Sequence, residues 1–398
     1  MTPTLYLTRN GLLEPLGQSQ VLAYLRGLSR DHSITLITRE KAEDWEDAAL
    51  VARVRSECAA LGIDWRPRPF RPRPRFIAPA LDLISMTHEV WRAARDGRAR
   101  LVHARSYIPA AVAWAVWRAT GVSFIFDMRA LWPEELITAG RLRRGSWLHR
   151  RIAGVERACI RDAAGVVSLT QAAVAHLKTI YPAEMAGQRV TVIPTCADLD
   201  RFVLRQIAPP HPRVYGCIGT VLSGWFRIDW LAAFIAAAAA RDAAARFDIV
   251  TRDDAARVRA ALDPKGTLGA RLTIGPRATV EMPAAVAEHD VSVMFFTDGL
   301  SKLGSSPTRM AEVLGTGLPV VANAGVGDVA RIVQDHRVGV LAAGPDTMVQ
   351  TLEALELLMA DPELASRCRT AADAVFSLDA GTRKYRALYA DILAPLHK

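Results

Sequence analysis

Short apolar segments recur along this 398-residue chain with room for a helix between each pair, and that rhythm limits the fold more than any single motif. TLYLTR (4–9), ITLITRE (34–40), LVHA (101–104), SFIFD (123–127), GVVSL (165–169) and VTVI (190–193) read as strands. Helical stretches such as SQVLAYLRGLSRD lie between them. Strands alternating with helices predict a parallel sheet covered on both faces. The rhythm restarts after the proline-rich IAPPHPR (207–213), with RVYGCIGTV (213–221), FDIVT (247–251), RLTIG (271–275), VSVMFF (291–296) and LPVVANA (318–324). A chain this long exceeds one ordinary core. The expectation is therefore an α/β protein of two Rossmann-like domains, residues 1–208 and 209–380, with a C-terminal helix at 381–398 packing back toward the first. The carboxyl-end edges of the two sheets are expected to face each other across a deep cleft, where open α/β sheets bind ligands.

Composition narrows the class. At 51% hydrophobic and 23% charged residues, the chain is globular rather than disordered or fibrous. No apolar run reaches the roughly 18–20 residues of a membrane span, and MTPTLYLTRNG reads as a strand rather than a signal peptide. Five scattered cysteines with no CxxC pair point to reduced structural thiols in a cytoplasmic protein. The net charge of +9 favours an anionic partner: nucleotide, phospholipid or nucleic acid.

Several motifs carry little weight. GVGDVA (325–330) has the GxGxxA pattern of a dinucleotide fingerprint, but it occurs late in the second series rather than at its first strand. Asp198 and Asp200 in DLD fit turns or caps better than a metal site. No HExxH spacing and no GxxxxGK[ST] loop is present, so no metal ligands and no Walker-type nucleotide site are expected.

The segment KLGSSPTRMAEVLGTGLPVVAN (302–323) is different. Ser306 and Pro307 predict a helix start with a hydroxyl cap, Met310, Val313 and Leu314 form one apolar face, and Gly315 and Gly317 end the helix. The first turn of such a helix favours carboxylates, because its dipole is positive there. Here it carries Arg309, follows Lys302, and has no acid before Glu312. Ser305, Arg309 and Glu312 are spaced to share the face opposite the core. A solvated Arg309–Glu312 pair would be worth only a few tenths of a kcal/mol. The preceding strand and the Gly-Ser-Ser loop instead predict backbone N–H groups, a helix N-terminus and two cations aimed at an anion of the phosphate kind.

GLLEPLGQSQVLAYLRGLS, VIPTCADLDRF and SSPTRMAEVLGTGLPVVANAGVGDV together resemble glycosyltransferase family 4, a retaining group with the GT-B fold. The resemblance runs over most of the chain and implies transfer of a sugar from a UDP- or GDP-sugar to an acceptor hydroxyl, in cell-surface polysaccharide, glycolipid or related glycoconjugate synthesis. It places the Asn10–Gly17 loop under the donor diphosphate and gives Glu312 to the donor ribose, a role suited to an acceptor-only carboxylate. The implied donor-binding residues are Gly17, Gly219, Arg227, Lys302, Gly304, Ser305, Ser306, Arg309 and Glu312. The implied catalytic residues are Arg129, Asp127, His103 and Lys302, with Arg129 in FDMRALWPEE standing where many relatives carry a histidine. The sequence also departs from the family. Where many members have a first glutamate, Gly304 stands instead, and GTVLSGWFRID lacks the usual basic pair, with Arg227 supplying one charge. No cofactor and no metal are implied. A non-hydrolysing nucleotide-sugar epimerase and a catalytically silent sugar-nucleotide-binding subunit are the alternatives.

Two arginine-rich stretches remain. RPRPFRPRPR (66–75) predicts an extended arm, because proline disfavours regular structure. RLRRGSWLHRR (141–151) has no acid and interleaves Leu142, Trp147 and Leu148 among Arg141, Arg143, Arg144, Arg150 and Arg151. It reads either as a solvated surface or as a contact with an anionic membrane or a lipid-phosphate acceptor. The expected partners are thus a nucleotide-sugar donor, a sugar or lipid-linked acceptor and the inner face of the membrane, with no nucleic acid, since no such module is present.

Overall fold

The computed structural model describes residues 1–70, 77–205 and 212–394. The chain forms two compact units, Met1–Pro194 with Gly381–Lys398, and Thr195–Ala380. The division falls at Pro194 rather than at 208, because Ala197, Leu199 and Phe202 are buried with Met310, Val313 and Leu314 in the core of the second unit. Most of the proline-rich junction lies outside the described residues.

The first unit is built on seven strands: β1 (Thr2–Leu7), β2 (His32–Glu40), β3 (Asp64–Pro69), β4 (Leu101–Arg105), β5 (Ser123–Asp127), β6 (Gly165–Ser168) and β7 (Val190–Val192). They pair in the order β3-β2-β1-β4-β5-β6-β7, parallel throughout. β4 is buried along its whole length, as a strand covered by helices on both faces must be. The order reverses between β1 and β4, so the loops leaving these strands flank the crevice where such sheets take ligands. β3 departs from expectation. Residues 66–69 of the arginine–proline stretch pair, together with Asp64 and Trp65, with β2 at the edge of the sheet, where Pro67 and Pro69 are tolerated because an outer strand need not donate on its free side. Residues 71–75 of that stretch lie outside the described residues. The helix Leu378–Leu393 contributes Tyr385, Leu388 and Tyr389 to the buried core, and Arg386 pairs with Asp31.

The second unit has six parallel strands: β8 (Val214–Ile218), β9 (Arg246–Val250), β10 (Leu272–Gly275), β11 (Val291–Met294), β12 (Val320–Asn323) and β13 (Gly339–Ala342). Their order is β10-β9-β8-β11-β12-β13, which puts the reversal between β8 and β11. Among the described residues no helix is long and apolar enough to cross a membrane. All five cysteines are buried and none forms a disulfide, and burial pushes the thiols of Cys58, Cys159, Cys217 and Cys368 up to about 12.

Candidate functional site

In the second unit the chain leaves β11 through Phe295 and Phe296, both anchored from neighbouring segments. Arg227 donates its backbone N–H to the Phe295 carbonyl at 3.0 Å, and Asn323 brackets Phe296, accepting from its N–H at 2.8 Å and donating to its carbonyl at 2.9 Å. Gly299 then adopts φ 121°, a conformation open to glycine, and starts a short helix, Leu300–Leu303, that carries Lys302. The Lys302 ammonium lies 3.5 Å from the centroid of the Trp225 ring. A cation over an aromatic face is attracted by the ring's quadrupole, which helps fix its position. The Lys302 carbonyl accepts from Gly327 at 2.9 Å and from Ser305 at 3.0 Å. GVGDVA therefore has a structural task here: Gly325 and Gly327 sit in the left-handed region, Gly327 ties the loop, and a side chain on Gly325 would come within 2.8 Å of the Asp298 Cβ.

The helix that follows is Thr308–Gly315, and Met310, Ala311, Val313 and Leu314 are wholly buried beneath it. Arg309 and Glu312 lie on its other face and form an ion pair through Glu312 Oε2. Two expectations need correction. Ser306 does not cap the helix; Pro307 stands at the cap position, and the Ser306 hydroxyl accepts instead from the Thr195 backbone N–H at 3.1 Å. Ser305 precedes the helix and so does not share its face. Gly304 is buried. Arg227 reaches Asp298 at 3.1 Å and stacks on Trp230, which gives it a carboxylate partner already in place. Gly219 follows β8 with φ 132° and nothing near the position of a Cβ. Asp253 accepts the N–H groups of Val221 and Leu222 at 2.6 and 2.9 Å, shaping this loop from across the sheet edge.

In the first unit, the Asn10–Gly17 loop is tied down by a residue the sequence did not single out. Glu40, fully buried at the end of β2, accepts the N–H groups of Leu12 and Leu13 at 2.7 and 3.1 Å. Burial raises the Glu40 carboxyl, and hydrogen bonds from Thr38, Leu12 and Leu13 oppose that rise. Gly17 must be glycine, because a Cβ there would stand 1.9 Å from the Gly11 carbonyl oxygen.

His103, Asp127 and Arg129 come together, but not as a substrate-facing set. His103 is completely buried, with Nε2 at 3.2 Å from Asp127 Oδ2, Nδ1 at 2.7 Å from the Tyr389 hydroxyl, and Tyr6 stacked on its ring. Asp127 also accepts from the Tyr385 hydroxyl at 3.0 Å and lies 3.6 Å from Arg129. Burial alone would raise the Asp127 carboxyl; the Arg129 guanidinium, with help from His103 and Arg105, outweighs it and holds the group at about 2. Burial lowers His103, which keeps it neutral. His103 and Asp127 thus have no surface to offer a substrate, and they position Arg129, whose side chain keeps 10% exposure.

The 141–151 stretch is only partly the free basic surface expected. Leu142 is buried, and Arg144 forks onto the Glu134 carboxylate. Arg150 donates to the Gly145 carbonyl at 2.7 Å, and Arg151 stacks on Trp147. Trp147 and Leu148 are exposed at 64% and 50%. Asp198 accepts from the Asp200 N–H at 3.3 Å in a turn. Among the described residues no cluster of three or more His, Cys, Asp or Glu could hold a metal ion.

Comparison with known proteins agrees with this architecture. No curated protein matches the chain in sequence. A glycosyltransferase from Rickettsia africae ESF-5 superimposes with a TM-score of 0.72 at 14% identity, covering 99% of each chain. Sucrose-phosphate synthase from Thermosynechococcus elongatus gives 0.67 at 15% identity, over 99% of this chain and 100% of its own. The Anabaena protein HepE, solved with UDP and glucose, gives 0.65 at 15% identity, over 98% and 100%. Residues 17–196 match the glycosyl transferase 4-like domain. Most of the first unit thus matches a glycosyl transferase 4-like domain, and the chain has the two parallel Rossmann-like sheets of the GT-B fold.

Proposed function

We propose that this chain is a retaining glycosyltransferase that moves a sugar from a nucleotide diphosphate donor, a UDP- or GDP-sugar, to an acceptor hydroxyl in glycoconjugate synthesis. The observation that carries the reading is the Gly299–Glu312 segment. A glycine-started loop presents Lys302 on an aromatic ring and runs into a helix whose first turn has no acid. Solved relatives that hold UDP support a nucleotide donor. When the sugar leaves, negative charge develops on the β-phosphate, and fixed cations with backbone dipoles stabilise it there. Lys302 and Arg309 supply the cations, and Gly304, Ser305 and Ser306 bring the backbone close. Arg309 occupies Glu312 Oε2, which leaves Oε1 for the ribose hydroxyls. Gly17 lets the first loop approach the diphosphate, Gly219 and Arg227 border the same edge, and Arg129 orients acceptor or sugar.

Calorimetry with UDP and GDP tests the donor half. Glu312→Ala is expected to leave the fold intact, since its side chain lies off the buried face, and to weaken the cognate nucleotide about ten- to a hundredfold through loss of charge-assisted bonds of about 1.5–3 kcal/mol. Parent-like binding of both nucleotides by this variant would reduce Arg309–Glu312 to a surface pair. Because side chains supply the positive charge, transfer is expected to continue in EDTA. Loss of transfer that magnesium or manganese restores would require a resident cation.

The reading places the reaction in the cytoplasm, with peripheral contact at the inner membrane face through Arg141, Arg143, Arg150 and Arg151. Arg144, engaged by Glu134, contributes less. Each basic residue near an anionic surface is worth about 1 kcal/mol, so flotation with phosphatidylserine vesicles should be salt-sensitive and should fall when these four arginines, none of them paired with a carboxylate among the described residues, become serine. Equal flotation with neutral vesicles removes this contact from the proposal.

A further inference from the structure

The first unit contains two neighbouring chambers of opposite character. One, of about 440 Å³, lies between the helices Ile77–Arg95 and Trp147–Asp162 and is lined by Leu83, Met86, Ile108, Ala111, Ile152 and Val155. The two carboxylates bordering it are already engaged. Asp82 binds Arg39, and Glu156 accepts from the hydroxyls of Tyr107 and Tyr181, both at 2.7 Å. What stays open is hydrocarbon. Arg151, Ile152, Val155 and Cys159 line it from one helix face, and the same stripe continues outward to the exposed Trp147 and Leu148. On the opposite wall Leu83 is 43% exposed. Apolar surface of this extent, running from a cavity to the exterior, marks a binding site rather than scattered exposure.

The second chamber, of about 360 Å³, shares Arg9, Tyr107, Ile108 and Trp132 with the first, but is otherwise polar, with Asn10, Arg39, Lys41 and Ser106 in its wall. Arg39 is only 1% exposed, and its Nη2 has no hydrogen-bond partner among the described residues. Arg9 Nε is likewise buried without one. A buried guanidinium nitrogen left unpaired is costly unless a ligand completes it. Ser106, at the end of β4, holds φ 79°, a strained conformation for a residue with a side chain. The carboxylates here are Glu14, paired with Lys41, and Asp82, shared by Arg39 and Arg9. Arg9, Arg39 and Lys41 are the cations in its wall, against the one lining carboxylate Glu14, and Asp44 and Glu43 act on Lys41 from nearby.

We propose that these chambers together bind a lipid phosphate, its phosphate beside Arg39 and Arg9 and its hydrocarbon chain between the two helices. That this amphiphile is the acceptor rests on the glycosyltransferase reading; that it binds does not. The polar chamber begins at Asn10, where the loop leading to Gly17 starts, so the head is held next to the candidate donor loop of the same unit.

The test uses dodecyl phosphate below its micellar concentration, with no donor present, and reads tryptophan fluorescence and calorimetry. Saturable 1:1 binding is expected, at least tenfold tighter than butyl phosphate, because each buried methylene is worth up to about 0.8 kcal/mol, and at least tenfold tighter than dodecanol. Ala111→Phe fills the apolar chamber and Val155→Asp charges its rim. Each should remove the preference for the long chain while leaving thermal stability and UDP binding unchanged. Arg9→Gln should weaken dodecyl and butyl phosphate alike. Equal affinity for the two chain lengths, or parent-like binding by both chamber variants, overturns the proposal. Dodecyl phosphate binding without any nucleotide binding would keep the lipid site and sink the transferase role; the reverse would do the opposite.

Discussion

Lys302→Met is expected to lower the rate of sugar transfer about 10²–10³-fold, the loss seen when one fixed group facing developing charge is removed. The ammonium rests on Trp225, and the Lys302 carbonyl is held by Gly327 and Ser305 through the backbone. The loop therefore keeps its course without the charge, and methionine preserves most of the stem and its contact with the ring. Ground-state binding of the nucleotide should fall by much less than the rate, because the charge on the β-phosphate grows as the sugar departs. Steady-state kinetics, calorimetry with UDP or GDP and urea unfolding separate the three effects. A variant within threefold of the parent rate, with unchanged stability, would mean that Lys302 is held on Trp225 for structural reasons only.

How much of this was legible in the sequence depended on how far each residue's partner lies along the chain. The buried strands were legible because segments such as SFIFD carry an unbroken apolar run, here Phe124 to Phe126. β3 and β13 were not: DWRPRP carries its strand at a sheet edge where proline and arginine are tolerated, and GVLA is too short to stand out. The misfit of Arg309 in a helix start singled out the candidate donor segment, since that argument needs only local spacing. The Ser306 cap failed because its hydroxyl is claimed by Thr195, 111 positions away. Glu40 holds Leu12 and Leu13 from 28 and 27 positions off, and no local pattern records such a bond. His103 and Asp127 stood at strand ends, where ligand-facing residues belong. What removes them from the surface is Tyr385 and Tyr389, brought in by a helix more than 250 residues later.

That burial makes Asp127 the position where a single change should cost most stability. Asp127→Ala is expected to destabilise the protein by about 3–5 kcal/mol, the usual loss when one member of a buried ion pair is removed. The variant leaves the Arg129 guanidinium, whose Nε already lacks a hydrogen-bond partner, without its carboxylate, and takes acceptors from Tyr385 and His103. Tyr385→Phe removes one donor to the ionised carboxylate and should cost less, about 1.5–3 kcal/mol. The pH dependence has a definite sign. With the folded carboxyl at about 2 and an ordinary value of about 3.9, the ionised form stabilises the fold above pH 4, and this contribution is lost as the pH falls toward 2. The parent should therefore lose its advantage over the alanine variant across that window, while above pH 5 the gap stays constant. Urea unfolding of the three proteins, followed by fluorescence at pH 7 and at steps from pH 5 to pH 3, measures both quantities. A difference below 1 kcal/mol at pH 7, or a gap that widens on acidification, would show that Arg129 is neutralised by something other than Asp127.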